Sequence, residues 1–182
     1  MRSRRRLLAA LLVVAACGRS GSTAPDPAVS AITLSATSIS FSSLLATFDV
    51  TATVLGGDGS PMSNASVTWT SQDPRVATVS SNGRVAAVGN GTTRVTASVS
   101  GVDASATVEV QQLPVSIALA PDPLVLAGPL DTASVRATVA DAGGSAIVPV
   151  TVSWTTLDDG VATVGDSGLV TGVATGQTTI TA

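Results

Sequence analysis

A serine nucleophile in this chain would have nothing to take its proton. The sequence contains no histidine, lysine or tyrosine, and its nine cationic residues are all arginines, which stay protonated. A zinc site built from His and Cys fails for want of ligands, because Cys17 is the only cysteine and there is no histidine. Only paired carboxylates remain for acid–base work, as glycosidases use them. Asp158-Asp159 is the one adjacent acidic pair. It follows a Trp-containing strand pattern, where a solvated loop is the ordinary reading. No residue is therefore assigned a catalytic role.

Calcium is the other chemistry the inventory allows. Asp58, Asp73, Asp103, Asp158, Asp159 and Asp166 lie in segments that read as loops, and Ca²⁺ takes about 6–8 oxygen ligands. Their spacing matches no EF-hand. The expectation is that the chain has no resident metal and no cofactor. Trp69 and Trp154 are candidate sugar-stacking platforms by residue type. Their neighbours alternate apolar and polar, so the expectation is instead that both are structural core residues.

The elements that would position these residues begin after an export signal. Arg2, Arg4, Arg5 and Arg6 precede the apolar run Leu7–Ala16, which is too short for a membrane-spanning helix of about 20 residues. Residues 1–16 are read as a signal peptide. Val14-Ala15-Ala16-Cys17 resembles the lipobox of bacterial lipoproteins. That resemblance implies cleavage before Cys17 and lipidation of its thiol, hence anchoring to a membrane, with the outer membrane or cell surface as the expected location. Ser3–Leu8 also resembles a twin-arginine motif, and the Leu-rich run suits the general secretory route, so both routes stay open. Residues 17–28, rich in Gly, Ser and Pro after the cysteine, read as a tether. Without the four signal arginines, 5 arginines face 12 acidic residues, giving 5 − 12 = −7. Such a chain lacks the basic patch that nucleic acid binding requires.

An internal repeat then organises the rest. Trp69 and Trp154 are 85 residues apart, as are Val76–Val79 and Val161–Val164, and Gly83 and Gly168. Laying 30–97 on 115–182 without a gap gives 25 identities in 68 positions. Two copies of one module follow, at 29–113 and 114–182, joined through Gln111–Pro114. With so short a connection and no other link visible, each is expected to melt on its own. Phe48, Val50, Ala52 and Val54 alternate with polar residues, as expected for one half-buried strand. Val76–Val79 and Arg84–Val88 flank a hairpin turn at Ser80–Gly83, and Arg94–Ser100 and Ala104–Val110 form a last pair. No segment after the tether has a helical period. The expected fold is all-β: two tandem immunoglobulin-like β-sandwich domains. The second ends at Ala182, equivalent to Ala97, so it lacks its last strand. Its open edge calls for a strand, supplied either by a longer chain or by a partner.

Val67–Ser71, Asp73–Val79, Asn82–Val85 and Gly91–Thr93 together resemble the bacterial Ig-like domain, group 2, and Val152–Thr155, Val161–Val164, Gly168–Val170 and Gly176–Thr179 repeat the pattern. The resemblance implies an adhesion, spacing or binding role and brings no catalytic residues. The functional expectation is a non-catalytic cell-envelope lipoprotein whose modules form a surface stalk or a unit binding a protein or carbohydrate ligand. The alternative is an amino-terminal accessory arm of a larger secreted enzyme such as a polysaccharide hydrolase.

Overall fold

The computed structural model describes residues 28–182; the expected signal peptide, Cys17 with its expected lipidation and most of the expected tether lie outside the described residues. Among the described residues there is no helix, as a Val-, Ala-, Thr- and Ser-rich sequence with period-2 alternation dictates.

The first domain contains β1 (Val29–Leu34), β2 (Ser38–Phe41), β3 (Thr47–Asp49), β4 (Ala52–Gly56), β5 (Thr68–Ser71), β6 (Ala77–Val79), β7 (Arg84–Ala87), β8 (Gly91–Val99) and β9 (Val102–Val110). One sheet has the order β2-β9-β8-β5 and a second β3-β7-β6, with β1 and β4 as a separate antiparallel pair. All pairings are antiparallel except β2 with β9. The inward positions of β9 pack small aliphatic side chains, Ala106, Val108 and Val110, against Ile39, Phe41, Val50, Val85 and Val95. The core is thus built from alternate strand positions of facing sheets.

The strand expected across Phe48–Val54 is divided. β3 pairs with β7, whereas β4 pairs with β1. The chain changes sheets at Val50-Thr51, where the Val50 N–H donates to the Gly83 carbonyl and the Thr51 N–H to the Ser35 hydroxyl. The crossing reverses the expected face for Phe48, which is 43 % exposed, while Val50 is buried. A second correction concerns Asp103, which lies in β9 opposite Ser98 and not in a loop. The β8–β9 turn is only Ser100-Gly101, both with positive φ, 52° and 84°. That two-residue geometry suits the twist of a hairpin and lets β9 begin at Val102.

The second domain repeats the plan with β10 (Ser116–Ala120), β11 (Thr132–Ser134), β12 (Arg136–Ala140), β13 (Thr155–Thr156), β14 (Ala162–Val164), β15 (Leu169–Gly172) and β16 (Ile180–Thr181). Its sheets are β10-β12, β11-β15-β14 and β13-β16. No strand among the described residues stands where β9 does in the first domain. β16 pairs with β13 over two residues, Thr155 with Thr181 and Thr156 with Ile180. Pro123–Leu126, the counterpart of β2, forms no strand. The buried core shrinks to Val135, Ala162 and Val170, with Leu119, Leu124, Leu126, Trp154, Val164 and Ile180 only partly covered. An open groove of about 840 Å³ runs over Leu119, Leu124, Leu126, Val135, Val170 and Ile180.

Candidate functional site

The carboxylates singled out as possible calcium ligands are dispersed. Among the described residues, no three His, Cys, Asp or Glu side chains come together as a metal site would require. Several close their own turns instead. Asp58 Oδ1 accepts the Ser60 N–H at 2.9 Å, and Asp158 Oδ1 accepts the Gly160 N–H at 2.9 Å. Asp73 accepts the Arg75 backbone N–H and both Nε and Nη2 of its guanidinium, at 3.0, 3.0 and 2.9 Å. The Arg75 side-chain hydrogen bond holds the Asp73 carboxyl below the ordinary carboxylate value, and the Ser60 backbone does the same for Asp58.

Trp69 and Trp154 are partly buried against the cores of their domains. Each ring lies against a glycine of the following hairpin. A Cβ built on Gly83 would meet the Val50 carbonyl oxygen and lie 3.0 Å from Trp69 Cζ2. On Gly168 it would meet the Val135 carbonyl oxygen and lie 2.9 Å from Trp154 Cζ2. Both glycines have positive φ, 84° and 78°, so turn geometry and ring packing demand the same residue type.

Among the described residues, the one buried charged side chain is Asp141, which sequence alone did not single out. It is 3 % exposed and sits at the junction of the two domains. Its Oδ1 accepts the N–H groups of Gly143 and Ser145, both at 2.9 Å, within its own turn. Its Oδ2 reaches the other domain: it accepts the Leu44 N–H at 2.9 Å and the Gln112 side-chain amide at 2.9 Å. Gln112 is itself fixed, since its backbone N–H donates to Asn90 Oδ1 at 2.8 Å and Asn90 Nδ2 donates to its Oε1 at 3.2 Å. The connection runs along the first domain, with Gln111 N–H donating to the Phe41 carbonyl and Leu113 N–H to that of Ser42. Burial acts to raise the Asp141 pKa. The hydrogen bonds from Gln112, Leu44, Ser145 and Gly143 outweigh it and leave the carboxyl below its ordinary value.

This junction corrects the expectation that the domains share nothing but a short connection. A buried carboxylate with four donors converts a linker into a docked joint, because undocking would strip two of those bonds from Oδ2. A signal was present in the sequence. Asp141 falls at the position of Gly56 in the gapless repeat, and the two turns are otherwise alike: Gly56 N–H donates to Ser60 O as Asp141 N–H does to Ser145 O.

The family model described as bacterial Ig-like domain (group 2) matches residues 28–110 and 126–182. The chain is 32 % identical over 135 residues to ice-binding protein 1 of Shewanella frigidimarina, covering 73 % of this chain and 15 % of that protein. It is 33 % identical over 123 residues to an uncharacterised protein of Clostridium acetobutylicum, covering 66 % of this chain and 12 % of the relative. It thus spans less than a sixth of either relative's length. Among solved structures, the Escherichia coli adhesin FdeC aligns over 84 % of this chain and 60 % of that one, with a TM-score of 0.42 at 19 % identity.

Proposed function

The chain belongs to the bacterial Ig-like domain (group 2) family, and on that premise we propose that it is the stalk of a cell-envelope lipoprotein, held to the membrane by lipid on Cys17. The observation that carries the stalk reading is the tandem itself: two copies of one family module, 85 residues apart, follow one another along the chain. The hydrogen bonds from Leu44 and Gln112 to Asp141 support it, since a spacer needs its modules held in a fixed relation. The residue inventory agrees, with no His, Lys or Tyr to support nucleophilic chemistry. The lipobox-like Val14–Cys17 and the tether that follows supply the anchor in this reading.

Fractionation of cells producing the chain tests the anchor. The parent is expected in the membrane fraction after a high-salt wash and in the detergent phase on partitioning, and Cys17→Ala is expected in neither. Salt-resistant membrane association of Cys17→Ala would refute lipidation. The stalk is tested by the spread of distances between the two domains in the purified chain. One narrow population is expected, and a broad one would refute a spacer role.

A further inference from the structure

We propose that Asp141 and Gly143 form a latch that fixes the second domain on the first, the aspartate standing first in a turn where the first domain carries it third. The inference deepens the stalk reading and rests on it. In the first domain the turn reads Gly56-Gly57-Asp58-Gly59-Ser60; in the second it reads Asp141-Ala142-Gly143-Gly144-Ser145. The carboxylate stands third in one turn and first in the other, with glycine in the vacated place each time. The backbone of the turn is the same: Gly59 and Gly144 have φ of 78° and 79°, and Gly59 N–H donates to Gly56 O as Gly144 N–H does to Asp141 O.

Both exchanges serve the joint. At the first position the carboxylate gains Leu44 and Gln112 of the preceding domain. At the third position glycine leaves room for that domain: a Cβ on Gly143 would lie 3.0 Å from the Leu44 carbonyl oxygen and 3.7 Å from Ser43 Cβ. An aspartate there, as at position 58, would push against the first domain. The end of the first domain that carries Gly56 has no such carboxylate, and Gly57, Asp58, Gly59 and Ser60 are exposed.

The chemistry of the latch requires an ionised acceptor. The four groups that face the carboxylate are the N–H groups of Leu44, Gly143 and Ser145 and the amide Nε2 of Gln112, all donors and all uncharged. Asn90, behind Gln112, is neutral as well. An asparagine at 141 would turn its own NH₂ against two donors, and a protonated carboxyl would set an O–H against one. The latch is also particular to this joint. The counterpart of Leu44 in the second domain is Pro129, which has no N–H to offer a carboxylate.

Paired spin labels at Thr78 and Thr163, exposed positions on β6 and β14, measure the joint in the full chain carrying Cys17→Ser. The parent is expected to give one narrow distance distribution. The double exchange Asp141→Gly/Gly143→Asp installs the first domain's turn, whose geometry already folds in this protein, and is expected to broaden the distribution severalfold. Gln112→Ala, which leaves both turns intact, is expected to broaden it less and serves as the reporter if the double exchange unfolds the second domain. A distribution that stays as narrow as the parent's in the folded double exchange, or in Gln112→Ala where that is the reporter, overturns the latch while leaving the stalk reading intact. A broad distribution in the parent overturns both.

Discussion

Replacing Gly83 by alanine tests whether turn geometry and tryptophan packing are one constraint. Two separate costs follow from the structure. The first is conformational: φ at Gly83 is 84°, in the left-handed region that costs an L-residue about 1–2 kcal/mol. The second is steric, because the new Cβ meets the Val50 carbonyl oxygen and the Trp69 ring, at 3.0 Å from Cζ2 and 3.3 Å from Cε2. Backbone and a buried ring edge yield poorly, and such overpacking costs roughly 1–3 kcal/mol. Gly83→Ala should therefore destabilise the first domain by about 2–5 kcal/mol. Gly59→Ala is the internal control. Its φ of 78° carries the same conformational cost, yet nothing lies within 4 Å of the added Cβ, so about 1–2 kcal/mol is expected. At about 4–8 °C per kcal/mol for a domain of this size, calorimetry separates the two variants clearly. Exchange of the Val85 and Val95 amides assigns the loss to the first domain. Equal shifts for Gly59→Ala and Gly83→Ala would refute the reasoning, since the packing contribution would then be absent.

Trp69→Ala and Trp154→Ala should each cost about 3–5 kcal/mol in their own domain through the cavity left behind; free quenching of both tryptophans by acrylamide in the parent would count against that packing. Thr93 Oγ1 accepts the Asp73 N–H at 2.8 Å and Thr178 Oγ1 the Asp158 N–H at 2.9 Å, but Thr93 is buried and Thr178 half-buried. Thr93→Val should therefore cost about 1–3 kcal/mol by denaturant unfolding and Thr178→Val less, because water reaches the orphaned N–H; the reverse order would contradict it. The last prediction concerns acid. The Asp141 carboxyl titrates below the ordinary 3.8, so the docked state favours the ionised form: docking should be complete above that value and lost as pH falls through the depressed one. The label distances should stay constant around neutrality and broaden only in strong acid, while the double-exchange variant, already broad, should show no further step there. Broadening in the parent near neutrality would refute the assignment.

Much of this architecture was legible before any coordinate. The 85-residue offset between Trp69 and Trp154, the alternation in Ala104–Val110 and the glycine of each hairpin depend on local order, and local order is what period-2 patterning and turn chemistry report. Three features could not be read that way. The break between β3 and β4 is invisible in the alternation of Phe48–Val54, since a strand that changes sheets keeps its period while its partners change. The stacking of each tryptophan on a glycine 14 residues later is a contact across the sandwich. The role of Asp141 depends on Leu44, 97 residues away, and on a pocket of four donors that forms only when the two folded domains meet. The repeat and the alternation within each strand follow from neighbours along the chain, so they show in the residue order alone. The docking of the two copies comes instead from donors gathered in space around a buried charge, which no local pattern reports.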